Sequence, residues 1–83
     1  MWPEWWDWGL AFPGHLELRM EQREITEVDL RSMLQRASSY ASSVVEGRFM
    51  IHTTHQNRPW VVIVEPDPAE RLLVVVTAYE SYP

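Results

Sequence analysis

Two connections in this chain are too short to join strands in any but an antiparallel pair. The runs Val44–Thr54, Pro59–Glu65 and Leu72–Tyr79 are rich in Val, Ile, Thr and aromatic residues, a composition that suits a pleated, half-buried surface. Gln56-Asn57 separates the first two runs, and Pro66-Asp67-Pro68 opens the turn before the third. Both are turn chemistry. A parallel pair would need a crossover of about a dozen residues or more, so these three strands are expected to lie side by side with alternating direction.

The tight Gln56-Asn57 connection also sets a register. With His55 opposite Arg58, Thr53 meets Trp60, Ile51 meets Val62 and Phe49 meets Val64. Strict alternation along the last strand then adds Thr77, Val75 and Leu73 to the same face. The other face takes Arg48 beside Glu65, with Met50, His52, Val61, Ile63, Leu72, Val74 and Val76. Both faces are largely apolar. One is expected to lie under helices; the other needs the tryptophan-dense start of the chain, or a second copy, to cover it.

Upstream, Trp6, Trp8, Leu10 and Phe12 alternate before Pro13-Gly14. That pattern predicts a Trp-rich N-terminal strand or arm over residues 1–12. A helix is expected from His15 to Glu24, with Leu16 and Met20 on its apolar face. Thr26 followed by Asp29 has the form of a capping box and opens a second helix. Val28, Leu30, Met33, Leu34 and Ala37 are its expected core stripe, and Glu27 and Arg31 an i,i+4 pair. The Ser-Ser-Tyr-Ala-Ser-Ser segment at 38–43 has poor helix propensity and should release the chain. Gly47 is expected to break the strand after it. The whole reads as a single α+β domain over residues 1–83, in β-α-α-β-β-β order, with an antiparallel sheet and two helices packed on one face.

Eighty-three residues bury only about 60% of the surface their unfolded chain would expose, and with no cysteine neither disulfides nor thiolate-bound metal can staple the fold. The formal charge of −5 argues against indiscriminate binding to nucleic acid. All seven basic residues are arginine, so every cation is a planar fork suited to carboxylate or phosphate. The first residues carry Glu4 and Asp7 and no basic start, which does not look like a secretion signal. Val61–Val64 and Leu72–Val76 are too short to span a bilayer. The expectation is a cytoplasmic protein without a membrane segment.

Three groups of residues could carry chemistry. His15, Arg19 and Arg23 recur every four residues, along one helical face. Arg19 has no acid at its i±3 or i±4 positions, so the stripe can serve as an anion site with a proton-exchanging ring; the plainer account is a solvated face, or pairing with Glu46 or Glu65. Arg48 and His52 share a strand face about 13 Å apart, a span for a substrate rather than a contact. The plainer account pairs Arg48 with Glu65. Thr77 and Tyr79 end the last strand, where a hydroxyl and a phenol can donate to phosphate and a ring can stack on a base, although both are also ordinary strand formers. His52 and His55, at i and i+3 on a strand, leave opposite faces, so no metal site is expected. Nothing in the sequence calls for a cofactor.

The run His15-x3-Arg19-x3-Arg23-x-Ile25-Thr26, then Gly47-Arg48, and the terminal Val74-Val75-Val76-Thr77-Ala78-Tyr79 resemble a family of small uncharacterised bacterial domains. That family is placed beside the RelE and ParE toxins, in the superfold shared by barnase, colicin ribonucleases and RelE. The resemblance spans roughly residues 6–80. It implies a β-α-α-β-β-β order and metal-independent cleavage of RNA, as the toxin of a toxin–antitoxin pair. His15 would be the leading acid or base, Arg19, Arg23 and Arg48 would hold phosphate, and Thr77 and Tyr79 would position the scissile group. His52 is a second proton-transfer candidate on chemical grounds. Two departures stand out: the chain is acidic, and it has no counterpart of the lysine clusters of ribosome-dependent RelE nucleases. The alternative is a non-catalytic interaction module built on the same fold, which forms a dimer or a hetero-complex. RNA and an antitoxin protein are the partners of the toxin reading, and the second apolar face leads to the expectation of a homodimer.

Overall fold

The computed structural model describes residues 2–81, the side chains of His15, Glu17, Leu18 and Arg19 excepted. A short 3-10 helix over Glu4–Asp7 leads into β1 (Gly9–Ala11), then α1 (Gly14–Gln22), α2 (Glu27–Gln35), β2 (Ser39–Ser42), β3 (Phe49–His55), β4 (Arg58–Asp67) and β5 (Leu72–Glu80). The strands form one mixed sheet in the order β1-β5-β4-β3-β2.

The β3–β4 hairpin has the expected register, with His55 opposite Arg58 and Phe49 opposite Val64. Gln56 and Asn57 both have positive φ, 52° and 64°, the backbone a two-residue hairpin requires. Three expectations are corrected. First, the sheet is not wholly antiparallel: β1 runs parallel to β5, with Leu10 opposite Leu73. Three antiparallel pairings from β2 to β5 make β5 opposite in sense to β2, and the two helices return the chain so that β2 also runs opposite to β1; β5 therefore lies parallel to β1. Second, Ser39–Ser42 forms a strand of its own, paired antiparallel with β3. The order is therefore β-α-α-β-β-β-β. Val44–Gly47 is the loop that follows, closed at Gly47 with φ 85°, which glycine adopts without a Cβ penalty.

Third, the β4–β5 pairing contains a bulge. Ile63 faces Thr77 but Val64 faces Val75, leaving Val76 as an extra residue. Beyond it the alternation is inverted. Ala78 and Glu80, not Thr77 and Tyr79, join Leu73 and Val75 on the helix-covered face, and Trp60 lies opposite Glu80.

Both helices pack on that face. Leu16 and Met20 of α1, and Leu30, Met33 and Leu34 of α2, share a core with Ile51, Val62, Val64, Leu73 and Val75. Val28 stands outside the stripe, 70% exposed, because it is two residues from Leu30 and so on the far side of the helix. Thr26 accepts from the Asp29 backbone N–H at 3.1 Å, and Asp29 Oδ2 accepts from the Thr26 N–H at 2.9 Å, completing the capping box. Arg31 and Glu27 pair at 2.8 Å. Thr53, buried at the centre of β3, donates its hydroxyl to the Met33 carbonyl and ties α2 to the sheet.

The strand expected from Trp6 to Phe12 is confined to Gly9–Ala11. Trp5 and Trp6 lie in the 3-10 turn before it and, with Trp8, pack on the edge of the helix-side core. Trp5 meets Phe49 at 4.9 Å, and Trp2 stacks on Trp6 at 4.4 Å. Phe49 belongs to the covered face, so the N-terminal segment extends that side and leaves the second face of the sheet open. Among the described residues, no helix is long and apolar enough to cross a membrane.

Candidate functional site

Strand alternation and the bulge together assemble a polar group on the open face. His52 lies opposite Val61, and Val61 opposite Tyr79, in one row across β3, β4 and β5. Two strand spacings, about 10 Å, separate the ends of that row. In the next row Met50, Ile63 and Thr77 lie side by side. Thr77 and Tyr79 are two residues apart on one strand and so share the face. Val61 is only 2% exposed although no helix covers it; its flanking positions are His52 and Tyr79. Tyr79 is 37% exposed.

Arg48 stands further along the same face. Its Nε lies 3.2 Å from Glu65 Oε1, and both side chains are more than a third exposed. The plainer expectation for this pair is met. An exposed pair of this kind contributes little stability, about 0–1 kcal/mol. His52, Thr77, Tyr79 and Arg48 thus share one surface: an imidazole, two hydroxyls and a guanidinium above an apolar floor of Met50, Val61 and Ile63.

Arg23 is not part of this surface. It follows α1, on the helix side, and its guanidinium donates to the Ala78 carbonyl on β5. β1 covers only residues 72–74 of that edge, so Arg23 occupies part of the stretch that β1 leaves bare. It lines a notch of about 250 Å³ with His55, Arg58, Trp60 and Glu80. Arg58 and Glu80 pair there at 3.0 Å, and the His55 ring stands edge-on to Trp60 at 5.6 Å. His15 and Arg19 have their backbone on α1; their side chains lie outside the described residues. His52 and His55 leave opposite faces, as their spacing requires.

The feature that sequence reasoning missed is the bulge at Val76. Strict alternation separates Thr77 and Tyr79 from His52; one extra residue reunites them. The run Leu72–Val76 is apolar at every position and so carries no period from which an inserted residue could be read.

A family profile described as Domain of unknown function (DUF4258) matches residues 12–80. No curated protein and no solved structure matches the chain.

Proposed function

The chain belongs to the DUF4258 family, and on that premise we propose that it is a RelE-like toxin, a metal-independent endoribonuclease that works on the open face of its sheet. In this reaction O2′ of the RNA attacks the adjacent phosphorus and the P–O5′ bond breaks. A base takes the proton from O2′, an acid returns one to O5′, and the products are a 2′,3′-cyclic phosphate and a 5′-hydroxyl. Imidazole can accept a proton on one ring nitrogen and donate from the other, which makes His52 the proton-transfer group of this surface. Thr77 and Tyr79 donate to phosphate oxygens, and Arg48, released from Glu65, stabilises the charge that develops on the phosphorane. His15, Arg19 and Arg23 keep the roles that the resemblance implies only for an RNA that passes round the β5 edge, because α1 lies on the other side of the sheet. The partners are RNA and an antitoxin protein that masks the open face, in the cytoplasm.

One observation carries this reading: the bulge at Val76, which puts Thr77 and Tyr79 on the face of His52. Bulges recur next to active sites because they re-aim side chains. The test is cleavage of several RNAs without added metal by wild type, His15→Ala and His52→Ala. Loss of the base or acid lowers the rate by roughly 10²–10⁴-fold, and the expected victim is His52→Ala. Wild type as inert as both variants would end the nuclease reading. An unchanged rate in His52→Ala would remove the open face from it.

The second reading, a non-catalytic interaction module, is favoured by the net charge of −5 and the apolar floor of the open face. It predicts binding of a protein partner that His52→Ala leaves intact, with no cleavage of RNA.

A further inference from the structure

We infer that β2 is a self-association edge, through which two copies of this chain join their sheets antiparallel about a two-fold axis at Ala41. Among the described residues β2 ends the sheet, with no strand paired to its outer side, and all four of its residues are exposed. Among the described residues, six large hydrophobic side chains are exposed, and four of them lie at this edge: Trp2, Tyr40, Val44 and Val45. Trp2 and Tyr40 are in ring contact at 5.3 Å. Val44 is fully exposed in the loop that follows the strand. Apolar residues gathered in this way mark an interaction surface.

Charge suits a second copy as the occupant. The chain carries −5 overall, yet residues 38–45, Ser-Ser-Tyr-Ala-Ser-Ser-Val-Val, contain no charged side chain. Two acidic molecules can approach along this stretch without setting like charges opposite each other. The usual guards of an edge strand, a lysine, a proline or an inward-pointing charge, are absent from it. Its shortness limits the backbone bonds, so the flanking apolar side chains must supply most of the affinity.

The register follows from the hydrogen bonds. Ser43 donates its N–H to the Arg48 carbonyl at 2.9 Å, so its backbone points into the sheet. Alternation turns positions 39 and 41 inward and positions 40 and 42 outward. Antiparallel pairing of two such edges aligns residues of equal sense: position 40 of one copy faces position 42 of the other, and Ala41 faces Ala41 in a non-hydrogen-bonded pair. A two-fold axis normal to the sheet keeps both open faces on the same side, which doubles the surface that bears His52, Thr77 and Tyr79.

The chain has no cysteine, which makes the test direct. In a non-hydrogen-bonded pair the Cβ atoms lie at about disulfide distance. Ala41→Cys should oxidise to a covalent dimer much faster than Glu70→Cys, placed in the β4–β5 turn far from this edge. Sedimentation of the wild type at rising concentration should reach twice the monomer mass, and Ala41→Lys, with two ammonium groups opposed at the axis, should return it to monomer with an unchanged circular dichroism spectrum. The inference is overturned by a wild type that stays monomeric at high micromolar concentration, by equal cross-linking of the two cysteine variants, or by a folded Ala41→Lys that remains dimeric. None of these measurements involves RNA, so they are independent of the nuclease reading.

Discussion

Glu24 holds a left-handed backbone, φ 57°, that costs a residue with a Cβ roughly 1 kcal/mol or more. It does so because α1 ends on it. Ile25 donates its N–H to the Met20 carbonyl at 2.8 Å and Glu24 donates to Glu21 at 3.1 Å, the wrapped ending in which glycine is the usual residue. Ile25 and Met20, both buried, close the motif. Glu24→Gly should therefore raise stability by about 1 kcal/mol in urea denaturation. Two residues on, Thr26→Ala removes the hydroxyl that caps α2 and should lower stability by about 1 kcal/mol. Asp29, the other half of the box, is held below the ordinary value of 3.8, first because its carboxylate accepts the Thr26 backbone N–H. A folded-state value below the unfolded one means that this contribution is complete above pH 3.8 and is lost as the pH falls through the lower, folded value. Asp29→Asn should remove that part of the acid dependence, as read by thermal melts from neutral pH downwards. The capping box was legible in the sequence because it is a contact between near neighbours. The left-handed Glu24 was not, since nothing in a Glu-Ile-Thr segment asks for it.

At the scale of elements, the two hairpins around β4 differ in what the sequence reveals. β3 and β4 meet through two residues, and a connection that short leaves the backbone one register; the arithmetic from Gln56-Asn57 reaches Phe49 opposite Val64 without error. β4 and β5 meet through a longer turn and a uniformly apolar run. There the register is decided by packing: Ala78 fits beneath the helices beside Val62, and Val76 is set aside as the extra residue. Deleting Val76 joins Val75 directly to Thr77, so simple alternation keeps Val75 and Ala78 beneath the helices and Thr77 and Tyr79 on the open face. No side chain then changes face, and the expected change in stability is within about 1 kcal/mol. A loss of more than about 2 kcal/mol in thermal denaturation would show instead that the packing requires the extra residue. Ser39–Ser42 is the other element that sequence reasoning passed over. Serines disfavour helix, but only the side of β3 that it meets makes this segment a strand.

For the whole molecule, the tryptophans of the first eight residues act as a lateral extension of the core. Trp5, Trp6 and Trp8 pack against buried side chains beneath α2 and beside β3, and in an 83-residue chain such area is a large share of the total. Removing residues 2–8 should lower stability by about 3 kcal/mol or more, enough to unfold a marginal domain on modest heating. A truncated chain that melts like the full one would contradict this placement. Because the aromatic segment lies on the helix side, none of the described helices covers the open face, where Arg48 is paired with Glu65 and His52, Thr77 and Tyr79 share the surface.

What the amino-acid sequence determined alone is what short-range chemistry dictates: the capped second helix, the two-residue hairpin with its register, three neighbouring antiparallel strands and the Arg48–Glu65 pair. Each depends on residues whose separation along the backbone, or across one tight turn, leaves a single economical geometry. The tertiary structure alone decided that β1 runs parallel to β5, that a serine-rich segment becomes the sheet edge, and that Thr77 and Tyr79 join His52. Those outcomes involve segments with no internal period or with several equivalent pairings. Which one forms is settled only when the helices and the sheet compete for the same buried area.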